Sequence, residues 1–556
     1  MSTAKPEHVL VAVAWPYANG PLHLGHVAGC YLPADIFARY HRMHGDKVLM
    51  VSGTDEHGTP ITITANREGI TPAEVADRYH KIIAKTFDDL HIQWELFTST
   101  RTAEHYEIVQ KIFKDLYEKG YIYLHSQEQL YCPDEKIFLP DRYVEGKCPN
   151  CGAEKARGDQ CDACGRTFDA KDLIEPKCKL CGARPVVKET EHFFFKWSAF
   201  NEKIIDWLKT RQNFRPNVMN FTNNYLHEGL KDSAITRDME WGIPVPIEGY
   251  EHKRIYVWWD AVIGYLSASV AWAKQQGTPE AWKEWWEDPL TRTYYFIGKD
   301  NIPFHAIRWP AVLMGVGGLN LPYDIPANEF LNLEGRKLST SNNWAVWVNE
   351  YLENYDPDPL RYVLTATAPE TSDSDFSWAE YLRRNNDELV GWWGNLVNRS
   401  LSFVQKHFQG IVPQAQPTEA DKELLEHSKE AFAKVGDLIA ACQFKQALAE
   451  AMELAREGNR YFDSQAPWKE VKLDKERTGT IMATMVRFIA NLRVILHPFL
   501  PDTCAKLHEL LALPGEAEKL PWQPIEIEAG HVLNKPTPLF KKLDPSIVET
   551  ERAKLG

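Results

Sequence analysis

The chain of 556 residues is 44% hydrophobic and 25% charged, and it carries a net charge of −14 at pH 7. Such a length holds about three to five domains at roughly 100–200 residues each. The acidic balance excludes a global draw toward nucleic acid, so any polyanion must meet a local basic face.

No run reaches the ~18 apolar residues of a membrane span, and MSTAKPEH lacks the pattern of a signal peptide. The expectation is a cytoplasmic protein with no membrane partner. The apolar run VLVAVAW at 9–15 predicts a buried strand, PYANGPLHLGH at 16–26 a Gly/Pro turn, and HVAGCYLPADIFARYHRM the amphipathic helix that completes a βα unit. In open parallel sheets ligands sit beyond the carboxyl ends of the strands. The following helix there presents unsatisfied N–H groups and a partial positive charge, which suit phosphate. His23 and His26, three apart on the first turn, point to one side. Three readings stand for them: N–H donors to phosphate, two ligands of a metal with no third ligand nearby in sequence, or residues that cap and pack the turn. KVLMVSG at 47–53, AEVADRYHKIIAKTF and AEHYEIVQKIFKDLYEKG continue the alternation, the pattern of a parallel sheet with helices on its faces.

Beyond Gly120 the texture changes to turn residues, short β-like pieces such as EHFFFKWS, and seven of the ten cysteines. Six of these form the CxxC pairs Cys148/Cys151, Cys161/Cys164 and Cys178/Cys181, a spacing that favours zinc over disulfides where no secretion signal is present. Cys148, Cys151, Cys161 and Cys164, with nine residues between the pairs, make a complete thiolate set for a structural zinc. Cys178 and Cys181 need other partners. Cys132 in YCPDE supplies a third sulfur, with Asp134, Glu135 or water as alternatives for the fourth ligand, so one or two zinc ions are expected.

The α/β rhythm resumes with RIYVWWDAVIGYL at 254–266 and YYFIGKDNIPFHAIRWPAVLM at 294–314, so one nucleotide-binding fold is split by an inserted domain. EFLNLEGRKLSTSNNWAVW at 329–347 predicts a strand, a polar loop and a helix capped near Asn343. From about 378 the pattern is helical throughout, and the last residues, from PTPLF onward, read as a polar return segment. The chain divides into a first half-sheet at 1–120, the insertion at 121–236, a second half-sheet at 237–328, a linker carrying KLSTS at 329–377, and a helical bundle at 378–556.

HLGH after the first strand, KLSTS after the last, a zinc-knuckle insertion between sheet halves and a closing helical bundle together resemble class I aminoacyl-tRNA synthetases. Within that class AWPYANGPLHLGH, GTDEHGTP, YVWWDAVIGY, FIGKDNIPFH and SQAPW are similar to the blocks of methionyl-tRNA synthetases, and the likeness spans nearly the whole chain. HLGH is common to the class; the tryptophan-bearing blocks discriminate. The resemblance implies an α/β fold with a Rossmann-type parallel-sheet catalytic domain, the knuckle insertion and an anticodon-binding bundle.

It also implies roles. His23 and His26 lie along the ATP triphosphate and Gly25 leaves room for adenine, while Lys337 and Ser339 complete the clamp from a mobile loop. Thr340 stands where the familiar KMSKS signature has its second lysine, which weakens the clamp rather than changing the reaction. Arg336 is a candidate to replace that charge. Arg237 in ITRDMEWG falls near the reacting carboxylate; read alone it would be a surface ion pair. The amino-acid pocket carries over onto Ala14, Trp15, Tyr17, Asp55, Trp258, Ala261, Tyr265 and His305. Asp55 suits an α-ammonium group, and the aromatic rings offer soft walls to a thioether, at ~0.3–1.5 kcal/mol per sulfur–aromatic contact. Trp259 and Trp309 read as core. Where the family pattern often has proline, Val262 follows the Asp-Ala pair. Asn395 and Arg399, four apart on one helix face, and Trp468 become the anticodon readers.

The expected activity is a methionine–tRNA ligase using Mg-ATP and tRNA(Met), with L-methionine as substrate and a monomer as default. Two rivals are a synthetase-like RNA-binding protein without activation chemistry, supported by Thr340 alone, and a sister class I enzyme. The insertion is too small for the editing domain of the leucine, isoleucine and valine enzymes, and Trp258 with Tyr265 suggests too roomy a pocket for cysteine.

Overall fold

A computed structural model describes residues 7–140, 143–158, 161, 163–164 and 168–556; residues 1–6, part of the stretch read as lacking a signal peptide, lie outside it. HVLVAV forms the strand His8–Val13 because its aliphatic residues are buried on both faces of a sheet. The sheet is five-stranded and parallel, in the order Ala327–Asn328, Arg292–Gly298, His8–Val13, Lys47–Thr54, Leu96–Ser99. Side chains alternate along the first strand. Val9, Val11 and Val13 join a core continuous with that of the C-terminal helices, whereas Leu10 and Ala12 join a second core with the helices Ala103–Glu118 and Val257–Gln275. Strand order runs away from His8–Val13 in both directions, which opens a crevice beyond its carboxyl end and that of Arg292–Gly298.

The insertion begins as a long antiparallel ribbon, Ile122–Cys132 against Val186–Phe195. At its far end sits the small sheet of Val144–Lys147, Ala156–Arg157 and Ile174–Cys178, around which the cysteines gather. After the ribbon, the helices Asn201–Leu208 and Pro216–His227 bury Ile204, Trp207, Val218 and Leu226 in the second core.

In the segment carrying KLSTS, Leu331–Leu333 pairs parallel with Ser374–Phe376 and antiparallel with Arg336–Lys337. The helix expected to be capped near Asn343 starts instead at Val348. Asn343 closes a short 3₁₀ turn in the left-handed region at φ 50°, where its compact polar side chain is tolerated.

The bundle is built from Asn395–Phe408, Glu419–Ala440, Phe444–Gln465 and Lys475–Leu496. Among the described residues Lys475–Leu496 alone is long and apolar enough to cross a bilayer, and 94% of its apolar window is buried inside the protein. The return segment is more than polar chain: Ile547–Arg552 is helical, with Ile547 and Glu551 buried, and Arg552 reaches Glu334 at 2.6 Å.

The parallel-sheet domain and the bundle are locked by a wholly buried arginine. Arg361 binds Asp35 at 2.7 Å and donates to the carbonyls of Leu90, Pro498 and Phe499. Arg39, also bonded to Asp35, together with Arg361 holds that carboxyl below its usual range despite burial.

Candidate active site

His23 is extended at the N-cap of the helix that begins at Leu24, and its Nδ1 accepts the Gly25 N–H at 3.1 Å. His26 Nδ1 accepts the His23 N–H at 3.2 Å, so the two imidazoles form a reciprocal capping box and stack with centroids 3.7 Å apart. A ring nitrogen that accepts from an amide carries no proton, so both rings are neutral with the proton on Nε2. Burial agrees: it lowers the His23 pKa to about 4 and, with the neighbouring His23, holds His26 well below the ordinary histidine value. Capping and donating are therefore compatible, because Nδ1 serves the helix and Nε2–H is left over. Among the described residues neither histidine belongs to a group able to hold a metal.

The expectation of free amides at this helix start is corrected. Leu24 N–H donates to Val346 O at 3.2 Å, Gly25 N–H to the His23 ring, and His26 N–H to His23 O at 3.0 Å. The cause is local at Gly25 and His26, which His23 caps, and tertiary at Leu24: the chain around 346–348 runs beside the turn, with Val348 N–H on Leu22 O at 2.9 Å. Only the imidazole donors remain. The approach is close at Gly25, where a Cβ would stand 2.7 Å from Leu338 Cδ1 and displace that side chain. HLGH and KLSTS are thus in contact. Lys337 and Thr340 are exposed, and Ser339 is half-buried with its backbone paired to Trp344. The Arg336 guanidinium lies 4.7 Å over the Trp344 ring.

Ala14 and Trp15 follow the first strand into the crevice. The indole of Trp15 fits a slot that two glycines leave: a Cβ at Gly53 would meet it at 2.5 Å and one at Gly264 at 2.8 Å. Tyr265 packs edge-on to Trp15 and holds His305 at 2.7 Å. His305 Nδ1 lies 2.9 Å from Asn301 O, which can only accept, so Nδ1 carries the proton and Nε2 accepts from the Tyr265 hydroxyl. Burial lowers the His305 pKa to about 4, which leaves this wall uncharged. Trp258 stacks on Phe304 at 4.2 Å and meets Tyr17 edge-on. Ala261 is buried one turn behind it. Trp259 and Trp309 are core residues, as expected.

Tyr17, Trp258 and Arg237 line one open cleft of about 720 Å³. Arg237 forms no ion pair among the described residues; it donates to the carbonyls of Ala234 and Thr236 and lies 4.1 Å over the Tyr256 ring. Asp55 is buried just beyond the carboxyl end of the strand Lys47–Thr54. His57 and Asp260 were not singled out in the sequence, yet they meet beside it, with Nδ1 to Oδ2 at 3.0 Å. Polar residues clustered at the end of an apolar strand, as in GTDEHG, were the available signal.

Far from this site Trp468 is 42% exposed, which excludes a core role. Arg399 lies over Trp468 at 5.6 Å and over Phe462 at 4.5 Å, and pairs with Asp463 at 2.7 Å. Asn395 is exposed one turn earlier on the same helix.

In the insertion, Cys148, Cys151, Cys161 and Cys164 bring their sulfurs within 4.8 Å of one another, as do Cys132, Cys178 and Cys181. All are free thiols. Tetrahedral zinc with sulfur at about 2.3 Å requires sulfur–sulfur edges of about 3.8 Å. Cys148 to Cys164 measures 3.8 Å and Cys151 to Cys161 3.7 Å, so the four residues fit the ion. The amides of Asn150 and Glu135 point at Cys148 and Cys132, supporting thiolate charge.

Two family models match the chain: "tRNA synthetases class I (M)" over residues 9–401, and "Anticodon binding domain of methionyl tRNA ligase" over 412–555. The chain belongs to the methionyl-tRNA ligase family. It is 53% identical to the methionine–tRNA ligase of Thermomicrobium roseum, covering 99% of both chains. It is 52% identical to that of Dehalococcoides mccartyi over 99% of this chain and 100% of the relative. Among solved structures it is similar to Mycobacterium tuberculosis methionyl-tRNA synthetase in complex with methionyl-adenylate, with TM-score 0.79 and 26% identity over 97% of this chain and 100% of that one. The expected fold class and family are borne out by these matches.

Proposed function

We propose that the chain joins methionine to tRNA(Met) in two steps. Methionine's carboxylate attacks the α-phosphorus of ATP, pyrophosphate leaves, and the methionyl group then passes from the adenylate to the terminal adenosine of the tRNA. The observation that carries the reading is the pair of neutral imidazoles whose Nε2–H groups are the free donors where the two signature segments meet. Fixed, uncharged donors beside phosphate stabilise charge that grows in the transition state without reorganising. No protein nucleophile is needed; positioning supplies much of the rate.

In this reading Gly25 admits adenine, Lys337, Ser339 and Thr340 approach the phosphates, and Arg237 turns its remaining N–H groups toward the substrate carboxylate. Ala14, Trp15, Tyr17, Trp258, Ala261, Tyr265 and His305 enclose the methionine side chain, and Asp55 takes its ammonium group. Bound Mg²⁺ shields the triphosphate charge. Zinc at the four-cysteine set, and at Cys132, Cys178 and Cys181 with a fourth ligand, holds the knuckles in shape. Asn395, Arg399 and Trp468 read the anticodon. The protein acts in the cytoplasm as a monomer, within the five-part division read from the sequence.

The test is amino-acid-dependent ATP–pyrophosphate exchange run with each of the twenty amino acids. Exchange is expected to be strong with methionine and feeble with leucine, isoleucine and valine. Equal exchange with leucine would remove the substrate assignment, and none with any amino acid would leave a binding protein.

A further inference from the structure

Among the described residues two buried carboxylates stand without a cation, Asp55 just after the strand Lys47–Thr54 and Asp260 in the first turn of the helix Val257–Gln275. Asp55 is 3% exposed and Asp260 0%, and neither forms an ion pair with Lys or Arg among the described residues. One residue ties them together: the His57 amide points at Asp55 Oδ1 at 3.4 Å, and its ring Nδ1 lies 3.0 Å from Asp260 Oδ2. His57 Nε2 meets the Tyr106 hydroxyl at 3.1 Å. The remaining oxygen of Asp260, Oδ1, is buried and has no hydrogen-bond partner.

Two buried negative charges with nothing to balance them are costly to hold, which favours a proton on one of the two carboxyls. The other polar groups facing the pair do not supply the balance. Glu56 is satisfied by Arg101 at 3.2 Å and His80 at 3.6 Å. His105 is bonded to Ser267 at 2.8 Å, and burial keeps it uncharged. Tyr265 and His305 form the neutral wall already described. His57 is itself held neutral, at about 3, by burial.

We propose that Asp260 is a positioning residue: with Asp55 it forms a His57-bridged carboxylate pair that holds one proton in the empty pocket and releases it to solvent when an α-ammonium group enters. This rests on the reading of Asp55 as the ammonium site. Proton and charge balance, since the ammonium cation brings the positive charge that the proton leaves with. Burial pushes both carboxyls far above the usual range, and at Asp55 the neighbouring Asp260 adds to the rise, which keeps the proton bound at neutral pH. The pair titrates as a unit. Methionine and the proton compete, so affinity falls as pH falls, by up to about tenfold per pH unit. The arrangement favours a free amino acid over a ligand lacking the cation, because only the former can displace the proton.

The experiment is calorimetric titration of the full-length protein with L-methionine in buffers of different ionisation enthalpy at pH 7, repeated for Asp260→Asn, with melting temperatures on both. Wild type is expected to release about one proton per methionine bound. Asp260→Asn, which keeps the shape and removes one charge, should bind methionine with clearly less proton release than wild type, and its methionine KM should depend less steeply on pH between 6 and 8. Wild-type binding without proton release overturns the proposal even if the variant does not fold, and so does full release by a folded variant. Failure of wild type to bind methionine at all instead removes the functional reading beneath it.

Discussion

An imidazole that accepts an amide proton on Nδ1 can offer a ligand only its Nε2–H, and HLGH contains two such rings in a stack. Their neutrality matters. A charged pair at this separation would repel, whereas neutral donors cost little to hold together and still strengthen as phosphate charge develops. His26→Ala should lower the pyrophosphate-exchange rate by roughly 10²-fold or more, the scale of one lost transition-state donor, with the methionine KM within about twofold of wild type. Because His26 also caps the His23 amide, the substitution should cost about 0.5–2 kcal/mol of stability. Steady-state kinetics and thermal melting on one preparation check this, and a large rise in methionine KM would place His26 in the wrong site.

At the scale of elements, the knuckle tip has a core too small to hold itself. Its buried apolar residues are Leu130, Leu139, Tyr143, Val144, Ala156, Ala170 and Leu173, packed around the cysteines. Elements of this kind draw their folding energy from the metal. Metal analysis of the purified protein should return one or two equivalents of zinc. Cys161→Ser should lower the count by one and leave the tip open to proteolysis, while the long ribbon from Ile122 to Phe195, paired along its length, stays folded. Recovery of disulfides in place of zinc would overturn the assignment.

Across the whole molecule, catalysis and anticodon reading are separated but mechanically joined. The core that packs under Val9, Val11 and Val13 runs into the bundle, and Arg361 binds elements from both parts. Trp468 lies on the outside of this assembly with Arg399 stacked against it. Trp468→Ala should therefore remove a stacking contribution of about 1–3 kcal/mol for one base, lowering tRNA charging roughly tenfold or more. Exchange with methionine and the melting temperature should stay near wild type, since the ring is 42% exposed and lies on the helical bundle rather than in the pocket. Normal charging by the variant, or a joint fall of exchange, charging and stability, would refute the anticodon role.

The strands, the helices and the cysteine sets were legible in the sequence because each rests on local regularities: the aliphatic run of His8–Val13, the helical pattern of the late segments, and paired CxxC motifs. The family was legible because its blocks are short and continuous in the chain. Other features were decided only when distant segments met. At HLGH the Gly25 and His26 amides are taken locally by His23, but the Leu24 amide goes to residue 346, more than three hundred positions away. Asn343 carries a local helix-cap signal, yet it closes a 3₁₀ turn in the left-handed region, and its carbonyl accepts the N–H of Gly556 at 3.2 Å. The polar tail becomes a helix docked beside Glu334. Asp260 and His57, two hundred and three positions apart, acquire their chemistry from being buried against each other. Hydrophobic period and ligand spacing are properties of neighbouring residues, so a sequence by itself determines them; tautomer, protonation and amide occupancy depend on which groups burial brings within about 3 Å, and only the tertiary structure decides that.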